Sequence, residues 1–187
     1  PDHLLQAHED GNVVFFCGAG ISFPAGLPGF GTLVERVRDD LGATFSAAHQ
    51  SAFDRGQFDS VLGLIEGNPV IGRAAVRGSV CSILTPDLNL KDATVTHEAL
   101  LTLSLTRDGR QRLITTNFDR LFEIVKASGA ASFRSYEAPL LPVPKNRWDG
   151  LVYLHGLLPE DPSPAELDRL VLSSGDFGLA YLTERWA

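Results

Sequence analysis

Cysteine is scarce in this chain, which carries two, Cys17 and Cys81. Two thiols cannot build a four-thiolate zinc site or a disulfide framework. Both lie in apolar settings and read as small buried hydrophobes of a reduced compartment. Long apolar runs are also missing, as is a cationic segment leading into an apolar one. The sequence therefore offers neither a membrane span nor a signal peptide, and the expected address is cytoplasmic. Positive charge is in short supply, with 16 Lys and Arg against 23 Asp and Glu and a formal charge of −7. Nucleic-acid binding needs clustered Lys and Arg, so none is expected of this domain. A dinucleotide is still compatible with an acidic chain, because backbone N–H groups and a helix N-terminus supply positive potential.

With 187 residues, 44% of them apolar, the chain is long enough for one globular domain with a sizeable core. It starts at Pro1, without a methionine, and stops inside a helix-like run, Leu179 to Trp186, that has no C-cap. It reads as the N-terminal part of a longer protein, truncated at its C-terminal end.

Hydrophobic patterning gives the layout. After a short helix over His3 to Glu9, five of the six residues from Asn12 to Cys17 are apolar, as in a parallel strand covered on both faces. Helical periodicity resumes at Thr32. Residues 43–92 read as a small helical insertion, carried by Phe53, Phe58, Val61, Leu62 and Ile65 and by a second run from Pro69 to Leu84. A helix over Thr96 to Leu105, with Thr94 or Thr96 as N-cap, precedes the strand Arg112 to Thr116. A helix follows over Asp119 to Ala127, then a short strand over Ala131 to Tyr136. Pro139 to Pro144 make a rigid loop. Further strands are expected over Gly150 to Leu154 and Arg169 to Leu172. Short apolar strands alternating with helices specify an α/β fold, Rossmann-like and three-layered, with a mainly parallel sheet.

Three strand ends carry polar chemistry. Gly18-Ala19-Gly20-Ile21-Ser22 follows the first strand directly. Glycine there allows positive φ and removes the Cβ that would hold a pyrophosphate off the backbone. The turn alone is also what an ordinary βα connection looks like, and its spacing is not G-x-G-x-x-G, since the next glycine is Gly26. Thr115-Thr116-Asn117-Phe118-Asp119 ends the second strand. Asn and Asp are common helix caps, yet the Asn117 amide at the mouth of the sheet suits a ribose hydroxyl or a water. His155-Gly156 ends the strand from Gly150. An imidazole with an ordinary pKa of about 6.5 accepts a proton at neutral pH, and the glycine beside it admits a ligand. His3, His8, His49 and His97 read as structural. The three strand ends point to one rim, where open α/β sheets bind ligands.

These residues resemble the sirtuin superfamily. Its order is a G-A-G-x-S turn, a G-I-P-x-F segment, T-x-N-x-D and then H-G; here stand Gly18–Ser22, Gly26-Leu-Pro-Gly-Phe30, Thr115–Asp119 and His155-Gly156. Thr96-His97-Glu98-Ala99-Leu100 is similar to the family's A-H-x-A-L helix. The resemblance implies that Gly18, Ala19, Gly20, Ile21 and Ser22 hold the NAD pyrophosphate. It implies that Phe30 shields the nicotinamide riboside, and that Thr116 belongs to the binding rim. Asn117 would contact the nicotinamide ribose and place the attacking water, Asp119 would bind the carboxamide, and His155 would act on the ribose hydroxyls. The family's arginine after this phenylalanine is replaced by Gly31. The family's later glycine-serine strand at the adenosine ribose would fall beyond Ala187.

Deacylating sirtuins form their acyl-lysine groove against a four-cysteine zinc ribbon, which this chain cannot build. The sequence is instead similar to the zinc-free sirtuin-like domains of bacterial anti-phage defence proteins, which have T-T-N-[FY]-D. That resemblance implies an NAD glycohydrolase releasing ADP-ribose and nicotinamide, with NAD as substrate and no metal. Its implied partners are further copies of the chain, C-terminal sensor domains or a partner subunit, and a phage-derived activator. A carboxylate on the amide, an aromatic wall and a positioned water suffice for that hydrolysis. The alternatives are an NAD-dependent protein deacylase with an unconventional groove and a non-catalytic sensor of NAD or ADP-ribose.

Overall fold

The computed structural model describes residues 2–138 and 149–183. The proline-rich stretch Pro139 to Pro144 and the end of the run to Trp186 lie outside the described residues. The order begins with α1 (Asp2–Glu9), β1 (Phe15–Cys17), a 3-10 helix (Ala19–Ala25) and α2 (Phe30–Asp40). Then come α3 (Ala47–Asp54), α4 (Phe58–Glu66), α5 (Gly72–Ile83) and α6 (Val95–Leu103). They are followed by β2 (Arg112–Thr115), α7 (Leu121–Ala127), β3 (Ser135–Glu137) and β4 (Gly150–Tyr153). Two short helices, α8 (Pro164–Leu167) and α9 (Ser174–Gly178), lead into a π-helical turn over Leu179–Thr183.

Among the described residues the strands form one parallel sheet in the order β1-β2-β4-β3. The fold is mixed α/β and Rossmann-like. Its register puts Cys17 beside Thr115, Thr115 beside Tyr153, and Tyr153 beside Glu137. The C-terminal ends of all four strands therefore stand in one row, and whatever follows them shares one rim.

One core joins this sheet to α6 and α7. Cys17, Leu113, Leu151 and Tyr153 meet Leu101, Phe122 and Val125, all buried. Alternation along each strand sends these residues to a single face. The opposite face of β1 is different: Phe16 is 63% exposed. The expectation that this strand is covered on both faces fails, since among the described residues Phe16 stays exposed, and the strand is also shorter than Asn12 to Cys17.

A second core is built by helices. Leu33, Val34 and Val37 of α2 pack with Val61, Leu62 and Ile65 of α4 and with Val76 and Val80 of α5. These positions recur at helical spacing, and three of the helices lie within residues 43–92. Phe118, Leu158, Leu170 and Leu172 join the same cluster. The segment Arg169 to Leu172 is thus partly buried as its apolar content requires, but it is not a strand. Val171 N–H donates to the His155 carbonyl at 2.9 Å. The next two N–H groups, of Leu172 and Ser173, donate instead to the Asp176 carboxylate at 3.1 and 2.9 Å. A capping box at the start of α9 takes the donors that a ladder would need. Thr94 occupies the cap position of α6, but its hydroxyl donates to the Glu98 side chain at 2.7 Å rather than serving the helix backbone.

Candidate active site

The turn after β1 does not remain a loop. Its residues wind into the 3-10 helix, with Gly18 extended at φ −127° as the residue before it. Positive φ is needed eight residues later, at Gly26 (φ 77°), where the left-handed backbone closes that helix. The protein's own packing would accept a Cβ at both Gly18 and Gly20. A Cβ on Gly18 would stand 3.7 Å from the Thr116 hydroxyl, and one on Gly20 would meet nothing within 4 Å. Gly20 therefore leaves its backbone open to approach. Ile21 turns inward and packs on the sheet core.

Ser22, at 1% exposure, is the centre of a buried hydrogen-bond network. Its hydroxyl donates to Asp119 Oδ2 at 2.7 Å and accepts from Asn117 Nδ2 at 3.0 Å. His97 Nε2 lies 3.4 Å from the same oxygen. Because the hydroxyl proton goes to Asp119, His97 donates from Nε2, and its Nδ1 finds no partner among the described residues. Burial pushes the His97 pKa below the usual histidine value, against the pull of the Asp119 carboxylate. Asp119 Oδ1 accepts the Leu121 N–H at 3.1 Å, a turn just before α7 whose cap position is Arg120, while the other oxygen holds Ser22. Thr115 is committed to the backbone: its Oγ1 accepts the Asn117 N–H at 3.1 Å and fixes the turn after β2.

These groups border a cavity of about 370 Å³ at the rim of the sheet. Ala19, Ser22, Phe30, Thr116, Asn117, Asp119 and His155 all line it, whereas Gly18, Gly20 and Ile21 do not. The rest of the wall is largely apolar, with Leu27, Pro28, Leu33, Phe118 and Leu172. Asn117 and Asp119 are 7% and 4% exposed, so the end of β2 is roofed over rather than open to solvent. With Nδ2 held by Ser22, Asn117 keeps its Oδ1 as an acceptor. His155 makes no side-chain hydrogen bond to a described residue; its ring lies 6.1 Å from that of Phe118 and 6.3 Å from that of Tyr181. Burial lowers its pKa, so the imidazole is neutral at neutral pH and available as a base. Gly156 is not a gap for a ligand: its φ of 93° makes the turn after β4, and a Cβ there would sit 3.3 Å from Leu170.

Phe30 opens α2 and meets the ring of Phe58 edge-on at 5.9 Å. Gly31 makes that contact possible, since a Cβ on it would come within 3.0 Å of the Phe58 ring. A side chain at the position held by arginine in deacylating sirtuins would require the Phe58 ring to shift.

His97, which the sequence presents as structural, lies behind the wall and reaches it only through Ser22. Three wall residues carry no functional signal of their own in the sequence. Asp59 comes from α4, and Ser173 and Phe177 come from the segment around α9. The only local sign of the last group was the S-x-x-D spacing of Ser173 and Asp176. Among the described residues, no group of three or more His, Cys, Asp or Glu is arranged to hold a metal ion. None of the described helices is long and apolar enough to cross a membrane.

Residues 111–187 match the family model of the SIR2-like domain. Over 192 aligned residues the chain is 35% identical to a protein of Sinorhizobium fredii (strain NBRC 101917 / NGR234) named uncharacterized protein y4cA. All of this chain is covered, and it spans 16% of that protein's length. The matched segment carries Asn117, Asp119 and His155 and is in keeping with a SIR2-like domain.

Proposed function

We propose that the chain cleaves NAD hydrolytically to ADP-ribose and nicotinamide. The observation that carries this reading is the convergence of Asn117, Asp119 and His155 on one largely apolar cavity at the strand ends. About 370 Å³ is near the lower end of the range for small-molecule sites. It suits one end of a dinucleotide, the nicotinamide and its ribose. No Lys or Arg lines the cavity among the described residues, so the pyrophosphate belongs outside it, along the open backbone at Gly20.

In this reading Asn117 Oδ1 accepts from the attacking water or the ribose. The neutral His155 imidazole takes up a proton from a hydroxyl. Asp119 has a second lone pair on each oxygen and can receive the carboxamide N–H. Phe30 and the apolar wall keep bulk water from the reacting carbon. Ser22, rather than touching phosphate, orients the amide of Asn117. Following the resemblance, the activity belongs to an anti-phage defence protein that depletes NAD, with self-association, further domains and a phage-derived trigger.

The test is product analysis of the protein incubated with NAD, with and without an acyl-lysine peptide. Nicotinamide and ADP-ribose released without peptide, and lost in Asn117→Ala, are the expected result. Release that requires the peptide would make the protein a deacylase. Binding without any product would make it a sensor.

A further inference from the structure

Seven residues with polar side chains line the cavity, and most of those side chains are already engaged. Ser22 is saturated by Asp119, Asn117 and His97. Thr116 donates to the Cys17 carbonyl at 3.4 Å, and Ser173 is tied to Asp176. Both Asp119 oxygens accept hydrogen bonds from the protein. What remains for a ligand is the second lone pairs of Asp119, Asn117 Oδ1, the His155 ring and the carboxylate of Asp59, which has no hydrogen-bond or ion-pair partner among the described residues. The first three belong to the proposed reaction. Nothing so far gives Asp59 a task.

The leftover set is rich in acceptors and includes a carboxylate. Such a set rejects phosphate oxygens, which only accept, and favours a ligand that presents hydroxyl donors. A carboxylate has two oxygens side by side, and the donor pair that matches it is a vicinal diol. The same match explains why an acidic residue holds the ribose in many dinucleotide sites. From these observations we infer that Asp59, delivered by the helical insertion to the cavity wall, accepts hydrogen bonds from the vicinal hydroxyls of the ribose attached to nicotinamide. The inference rests on the NAD-cleaving reading of the same cavity. It makes α4 a part of ligand recognition. The competing role for Asp59 is a favourable charge in the first turn of α4, which would act on stability alone.

The test compares nicotinamide riboside with nicotinamide as calorimetric ligands of the wild type, Asp59→Ala and Asp59→Asn, alongside NAD cleavage. Asp59→Ala is expected to weaken riboside binding roughly 10–100-fold. Nicotinamide binding and Tm stay unchanged, and KM for NAD rises more than kcat falls. Asp59→Asn keeps one acceptor oxygen and falls between. Equal losses for both ligands, or a lower Tm with no ligand difference, overturn the inference. A wild type that cleaves NAD while Asp59→Ala matches it overturns the role of Asp59 and leaves the hydrolase reading standing. A wild type that neither binds the riboside nor cleaves NAD overturns both.

Discussion

The side-chain amide of Asn117 donates to the hydroxyl of Ser22 at 3.0 Å, across 95 residues of sequence. This bond decides which end of the amide faces the cavity. Ser22→Ala removes it and leaves Asp119 with an unanswered buried oxygen. The variant is expected to lose about 1–3 kcal/mol of stability and at least tenfold in NAD cleavage. Denaturant titration and steady-state kinetics check the two effects separately. Full activity in Ser22→Ala would mean that Asn117 holds its orientation by other contacts.

His155 is expected to work as the neutral base. His155→Ala should lower kcat/KM about 10²–10⁴-fold. Because burial lowers its pKa, the acidic limb of the wild-type profile should fall below the ordinary histidine value of about 6.5. A limb at or above that value, or a loss under tenfold, assigns the proton to another group.

His97 makes stability depend on pH. Its folded pKa lies below its unfolded value, so on acidification the unfolded chain takes the proton first. The contribution is complete above about pH 6.5 and is lost as pH falls through the folded pKa. Wild-type Tm should therefore drop between pH 7.5 and 5.5, and His97→Gln should flatten that slope. His155 acts in the same direction, so the flattening is partial and a His97→Gln, His155→Gln pair flattens it further.

Arg77 is 1% exposed and holds four partners at once. It pairs with Glu66 at 3.0 Å and with Asp176 at 2.5 Å, and it donates to the carbonyls of Leu167 and Leu170. Burial would raise the Asp176 pKa, but the Ser173 backbone and the guanidiniums of Arg73 and Arg77 outweigh it and hold the carboxyl low. Arg77→Met leaves Glu66 and Asp176 to the half-exposed Arg73 and strips the buried carbonyls of Leu167 and Leu170 of their donor, and should cost about 3–5 kcal/mol, read as a shift in the urea midpoint. A shift below 1 kcal/mol would show that Arg73 alone sustains the network.

Much of this architecture is legible in the sequence because it is local. Each motif follows an apolar strand, and parallel register alone brings Gly18, Thr116 and the residues after Tyr153 to one rim. Long-range contacts hid the rest. The apolar run Arg169 to Leu172 has the composition of a strand. Its ladder donors are diverted to Asp176, whose position depends on an arginine 99 residues away. Phe16 is as apolar as a core residue, and only the packing of the helices shows that its face of β1 is left exposed among the described residues. His97 looked structural by itself. Its part in the site comes from packing α6 against the 3-10 helix, which places it over Ser22.

The Asp176 carboxylate is shared between the helical insertion and the wall of the cavity. Arg77 of α5 and the N–H groups of Leu172 and Ser173 all depend on it. Breaking one of these bonds weakens the others, so α5 and the segment from Leu167 to Asp176 will open as a single cooperative unit. Amide hydrogens in the two stretches should then exchange with solvent at matching rates, although they lie far apart in the sequence. The shape of the pocket wall is in this sense set by helices that contribute little to its lining.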